Sequence, residues 1–363
     1  MHLPPALTRA VCRLGIAAWL GALPGCEPRA ERVPAKRGAG SAFGIAAAQA
    51  AERAAPPALV ATRATPAPQT SAPLRFAGGG PVQDFVLEQI VRAKPLSFKS
   101  VSSGGAVMRM RLAGPVDAAF KPVTSVRPLG PNAEVAAYRL ARCLALDSVP
   151  PAASREVPAA TIREALDPES KQSWQQLRER MGVADEDMVR GAAIYWIPEL
   201  ANVGLERRAG LRRMSEWLRA GGELPHASRT LAASVSTMMA FDYVIGNFDR
   251  WSGGNVQGNA AATLVYVRDH DLAFPARMNE KLHRRLWHDL QRAERFSARF
   301  YAALKQLTPA CFERELARDP GAASGELLTK RQFAGVFDRR EALLSHIESL
   351  IALRGESSVL VFE

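Results

Sequence analysis

The chain has 363 residues, 47% hydrophobic and 23% charged, which gives apolar content for one large domain or two medium ones and excludes a wholly disordered chain. A formal net charge of +11 comes without a dense basic run or a nucleic-acid-binding motif, so no nucleic-acid partner is expected. With four cysteines the chain is no disulfide scaffold, and no Cys/His cluster has zinc spacing; His283 and His288 are five residues apart and do not share a helix face.

Arg9 and Arg13 precede a short apolar run, "LGIAAWLGALPG" (14–25), too short to span a bilayer comfortably. The run ends in "LPGC", which resembles the bacterial lipoprotein cleavage box with Cys26 as the lipid-bearing residue. Residues 1–26 are therefore expected to be a signal peptide. Residues 27–74, rich in Ala, Pro, Arg and Gly, are expected to be a disordered linker. This layout predicts a protein of the bacterial cell envelope, periplasmic or surface-exposed, held to the membrane through Cys26.

From residue 75 to about 125 the pattern is short and strand-like. In "GGAVMRMRLAG", Val107, Met110 and Leu112 alternate imperfectly with Arg109 and Arg111 after a Ser-Ser-Gly-Gly turn (102–105). "DAAFKPV" (117–123) reads as a second strand, completing a hairpin with Lys121 near its end. A helix follows over about 132–146, with a stripe of Ala136, Leu140, Cys143 and Leu144. Asn132 is its expected N-cap, and Glu134 falls in its first turn, where the helix dipole favours a carboxylate. Cys143 and Cys311 both sit in helix-like apolar patterns and read as buried free thiols, one disulfide being the alternative.

Residues 152–190 are polar and mixed, with no legible period. "AAIYWIPEL" (192–200) is strand-like and halted by Pro198. The remainder is mostly helical by pattern: 206–220, then 229–245 with Leu231, Val235, Met238, Phe241 and Ile245 on one stripe, then 279–308 and 333–353. A strand and turn interrupt at 262–275. The predicted fold is α+β and two-lobed, with a small strand-rich N-lobe (about 75–192) and a larger helical C-lobe (about 200–363).

In that layout four pieces fit one chemistry. Lys121 ends a strand, and Glu134 sits early in the next helix. Asp249 and Asn255 share a loop after a buried helix, and Asp269 follows a short strand. Phosphoryl transfer needs a lysine on nucleotide phosphates, a glutamate to hold it, a base for the acceptor hydroxyl, and hard oxygen ligands for Mg²⁺ or Mn²⁺. Alone, Lys121 reads as a solvated surface residue and Asp249 as a turn residue; the order of the set is what points to ATP-dependent chemistry.

"DAAFKP", "NAEVAAYRLARCLALDSVPP" and "FDYVIGNFDR" resemble the secretory-pathway atypical kinases, the group of the Golgi casein kinase, its xylosylkinase relative and four-jointed. The resemblance runs in order over roughly 100–275. "DHDLAFP" (269–275) is more similar to type II phosphatidylinositol 4-kinases. The resemblance implies a kinase-like fold, with Lys121 and Glu134 as the nucleotide-binding pair, Asp249 as the catalytic aspartate and Asp269 as the metal-binding one. By order alone, Tyr195, Trp196 and Ile197 would form the hinge beside the adenine; from the Asp-Arg pairing alone, Arg250 would position the catalytic loop.

The sequence also departs from that pattern. Many relatives place the metal-binding Asn five residues after the catalytic Asp, whereas Asn255 is six after Asp249, an offset that Gly253 and Gly254 could absorb. Asp271 replaces a glycine and is either a further metal ligand or a residue that spoils the turn. No G-x-G-x-x-G loop is present, and Gly104 and Gly105 are its only candidates. The readings left open are a kinase acting on a protein or glycan hydroxyl outside the cytoplasm, a lipid kinase, and an inactive pseudokinase that serves as a binding module.

Overall fold

In the computed structural model, which describes residues 73–101 and 106–363, the chain enters a helix, α1 (Gln83–Arg92), and then two antiparallel strands, β1 (Pro95–Ser100) and β2 (Met108–Leu112). These residues lie in one compact unit, Pro68–Glu363. The expected signal peptide with Cys26, the linker up to residue 72, and Gly104 and Gly105 lie outside the described residues. The inward set of β2 is Met108, Met110 and Leu112, a strict alternation with Arg109 and Arg111, while Val107 is only half-buried. The next strand, β3 (Ala118–Pro122), buries Ala118, Phe120 and Pro122 on one face, which leaves Ala119 and Lys121 on the other.

The helix that follows, α2 (Gly130–Cys143), starts and ends earlier than expected. Its cap is Leu129 and no side chain caps it, because Pro131 takes an opening position where no N–H is required. Asn132 is therefore inside the helix, and Glu134 lies beyond the first turn with its side chain buried. The segment without a legible period forms β4 (Ala152–Pro158), α3 (Ala159–Ala165), the short α4 (Pro168–Lys171) and α5 (Trp174–Met181). Then β5 (Met188–Tyr195) runs between β3 and β4, completing an antiparallel sheet of order β1-β2-β3-β5-β4. At Gly191, opposite Pro122, a Cβ would stand 2.5 Å from the Lys121 carbonyl, so this tight crossing admits only glycine. The inner sheet face and α1, α3 and α5 enclose one core, which includes Phe98 and Phe120 edge to face at 6.4 Å.

The helical lobe begins with β6 (Ala201–Asn202) and α6 (Arg208–Leu218), followed by α7 (Arg229–Ile245), whose expected stripe is buried in full. Gly246 ends α7 at φ +71, where an added Cβ would meet the Pro275 ring at 2.8 Å. Two short strands, β7 (Gln257–Gly258) and β8 (Val265–Tyr266), join β6 in a small sheet. Residues 279–308 are not one helix but two, α8 (Glu280–Leu290) and α9 (Ala298–Gln306). The break exists because Phe296 and Ala298 donate N–H bonds to Val359 and Phe362, and Ser297 caps α9. The last helices are α10 (Pro309–Ala317), α11 (Lys330–Arg354) and α12 (Glu356–Val359).

α2 packs into the helical core rather than the strand core. Cys143 at its end is bonded to Cys311 of α10 across 168 residues, with Cα atoms 6.1 Å apart, so the expectation of free thiols is wrong. Among the described residues no helix is long and apolar enough to cross a membrane. Replacing Phe120 with Ala should cost about 3–5 kcal/mol, read from urea unfolding, because its ring is wholly enclosed by the strand core.

Candidate active site

The alternation of β3 turns Lys121 away from the strand core and toward α2. Its Nζ lies 2.5 Å from Glu134 Oε1 and 2.5 Å from Asp269 Oδ1. Burial disfavours the ammonium, but the carboxylates of Glu134, Asp269 and Asp271 outweigh it and lift the Lys121 pKa above its ordinary value. Glu134 shows the converse: burial alone would raise its pKa, yet Lys121 and His270 hold it well below the usual carboxylate range. Asp269 is also lowered, with Lys121 outweighing its burial.

His270 completes the grip on Glu134. Its backbone N–H donates to Oε1 at 3.0 Å, and Nδ1 stands 3.2 Å from Oε2. Asp269 adopts φ +65, a left-handed conformation that aspartate tolerates better than most residues. Asp271 is directed elsewhere. Its Oδ2 faces Arg127 Nε at 3.5 Å, and it lines a separate cavity with Lys121 and Gly130. The turn forms with Asp271 in place, Ala273 N–H donating to His270 O at 2.8 Å.

The loop after α7 is organised around a buried cation. Arg250 is 2% exposed and donates through Nε and Nη2 to the two oxygens of Asp242, at 2.7 and 3.0 Å. Its Nη1 donates to the carbonyls of Asn255 (3.0 Å) and Arg268 (2.5 Å), so one guanidinium joins α7, the 247–255 loop and the turn that carries Asp269. Gly253 and Gly254 have φ of +113 and +82, and through them Asn255 Nδ2 reaches Asp249 O at 3.1 Å and Asp249 Oδ2 at 3.4 Å. Glu206 accepts the N–H groups of Gly254 and Asn255, each at 3.0 Å, and fixes that end of the loop.

Tyr195, Trp196 and Ile197 share a cavity with Lys121, Glu134 and Asp269. Tyr195 turns its ring against Phe76 in the strand core, at 5.3 Å between centroids. The N–H groups of Tyr195 and Trp196 donate to Pro151 and Asp117 at 2.8 and 3.0 Å. Sequence reasoning missed Asp242, Glu206 and His270. A lone carboxylate in the apolar run of α7 was the available signal for Asp242; nothing comparable marked Glu206. Among the described residues no group of three His, Cys, Asp or Glu is arranged to hold a metal. Asp269 with Asn255 gives one carboxylate and one amide, hard oxygen donors of the kind Mg²⁺ or Mn²⁺ takes when phosphates and waters supply the remaining ligands.

No protein-family model and no curated protein sequence matches this chain. Among solved structures it is similar to the Golgi casein kinase with Mn and ADP bound, with a TM-score of 0.58 and 15% identity over 77% of this chain and 78% of that one. It is also similar to hydra Fam20, solved with sugar, with a TM-score of 0.60 and 18% identity over 76% of this chain and 90% of that one. The fold is that of the Fam20-type atypical secretory kinases. At these identities the likeness is one of fold, and activity has to be argued from the residues above.

Two outcomes follow from this geometry. Arg250→Met should destabilise the protein by about 3–5 kcal/mol in denaturant unfolding, because it strands Asp242 in the interior, whereas Asp249→Asn should change stability by less than about 0.5 kcal/mol. The depressed pKa of Glu134 makes its stabilisation complete above the unfolded value of ~4.3 and lost as pH falls through the lower folded value. Thermal melts between about pH 5 and 2 should show a larger loss in the wild type than in Glu134→Gln, in which the depressed Asp269 still contributes.

Proposed function

We propose that this chain is a phosphotransferase that moves the γ-phosphoryl of ATP to a hydroxyl of a protein or glycan outside the cytoplasm, with Mg²⁺ or Mn²⁺ as cofactor. The observation that carries this reading is the pair of contacts at Lys121, which brings β3, α2 and the 268–271 turn to one cation in a cleft. The fold shared with a kinase whose structure holds Mn and ADP supports it.

Lys121 would bind nucleotide phosphates as a fixed positive charge, and Glu134 would keep it in place. The cavity beside Tyr195, Trp196 and Ile197 would take the adenine. Asp249, on the rim of the same loop as Asn255, would orient the acceptor hydroxyl and accept its proton at a carboxylate oxygen as the new O–P bond forms and ADP leaves. A metal ion held by Asp269 and Asn255 would offset phosphate charge. Arg250 positions the loop and touches no reacting group.

Lipid attachment at Cys26, with removal of residues 1–25 that precede it, would place the protein at the cell envelope. The Cys143–Cys311 bond supports an oxidising compartment. A second reading, a nucleotide-binding pseudokinase, is favoured by one contact: Asn255 Nδ2 faces the carboxylate of Asp249, the residue that must meet the acceptor.

ATP consumption by the purified chain with Mg²⁺ or Mn²⁺ separates the two. Metal-dependent turnover that Asp249→Ala and Asp269→Ala each reduce by about 10²-fold or more is the expected result. Nucleotide binding without turnover would establish the pseudokinase, and absence of both binding and turnover would overturn the nucleotide reading.

A further inference from the structure

We propose that the Cys143–Cys311 disulfide and the buried Arg139–Asp319 pair form a clamp on the far side of α2 that sets the position of Glu134, so that the cleft is fully assembled only in the oxidised protein. Glu134 and Cys143 are nine residues apart on α2, about two and a half turns, which puts them on opposite faces. Arg139, five residues beyond Glu134, is rotated about 140° from it. One face of the helix therefore meets Lys121 and His270, while the other is fastened to the rest of the helical lobe.

The fastening is specific. Arg139 is 4% exposed and Asp319 3%, and Arg139 Nη2 donates to Asp319 Oδ2 at 3.3 Å. Asp319 also accepts N–H bonds from Ser154 of β4 (3.1 Å) and from Gly321 (2.9 Å), so α2, β4 and the chain after α10 meet at one carboxylate. The disulfide at Cys143, four residues after Arg139 and one turn further along α2, adds a covalent link to α10. The opening turn of α2 has no side-chain cap. The location of Glu134 thus depends on the packing of α2 in the helical core, on the clamped half of the helix and on contacts it makes itself. A half-buried disulfide of this kind is open to a small dithiol. Reduction breaks the S–S bond with two electrons and two protons, yielding two thiols while the reagent closes to its own cyclic disulfide.

The inference concerns the geometry of the cleft and does not require phosphoryl transfer. Its test is hydrogen–deuterium exchange on the full chain, purified without reductant and compared before and after dithiothreitol, beside Cys143→Ser/Cys311→Ser. Non-reducing peptide mapping should first recover Cys143 and Cys311 in one linked fragment; separate fragments overturn the proposal. The amide of His270, which donates to Glu134, should then exchange about tenfold faster on reduction, together with 130–137, the scale of one lost bond to a charged acceptor. Peptides from α7 should keep their rates, and Arg139→Met should act in the same direction as reduction, with Arg139→Lys closer to wild type. An unchanged His270 amide after reduction, or uniform acceleration along the chain, would show the bridge to be a stability element alone. A chain without turnover gives the same exchange result, so this test and the ATP assay fail independently.

Discussion

Lys121 is the constraint around which the cleft is built. An ammonium with a side chain only 15% exposed is tolerable only while its carboxylate partners stay within bonding distance, since an unpartnered buried charge costs several kcal/mol. Here the partners come from two elements, α2 and the turn at Asp269, which are also joined to each other through Glu134 and His270. The demands of Lys121 and Glu134 together therefore fix the relation between the strand lobe, the helix behind it and the floor of the cleft. Glu134 is itself buried and is satisfied from the other side by the backbone N–H and Nδ1 of His270, whose buried Nε2 is left without a hydrogen-bond partner.

Arg250 does the corresponding work one layer lower. It takes both oxygens of Asp242 and two carbonyls, so the loop bearing Asp249 and the turn bearing Asp269 share a single buried anchor on α7. The guanidinium suits this task because its planar fork presents several donors at once in a fixed geometry. Residues with a proposed chemical role thus stand on two buried cations, of which only Lys121 faces the cavity.

Much of this was legible in the sequence where local periodicity and long-range order agree. The alternation of β2 and β3 placed Lys121, and the stripe and glycine stop of α7 placed the loop that follows, while Arg250 was marked only by its pairing with Asp249. Where the physics is tertiary, the sequence was silent or misleading. Glu134 looked like a dipole-friendly residue of a first turn, because the proline-started helix begins two residues before Asn132. Residues 152–190 carry no clean period, since β4 is an edge strand with one face toward polar neighbours and α3 to α5 are too short to repeat. The break between α8 and α9 is imposed by a segment more than fifty residues later, and the disulfide by the packing of α2 against α10. No local pattern encodes either.

That late segment has a further consequence. Phe362 is 2% exposed, and residues 296–298 exchange backbone hydrogen bonds with Val359 and Phe362. The strand lobe can gather its own core from residues up to Ile197 with one later buried contribution from Tyr266, but the helical lobe cannot seal until residue 362 is in place. Because α2 packs into that later core, Lys121 and Glu134 are synthesised early and joined late. Until those last residues are in place a folding chain carries an incomplete cleft, and the charged side chains destined for its interior stay hydrated.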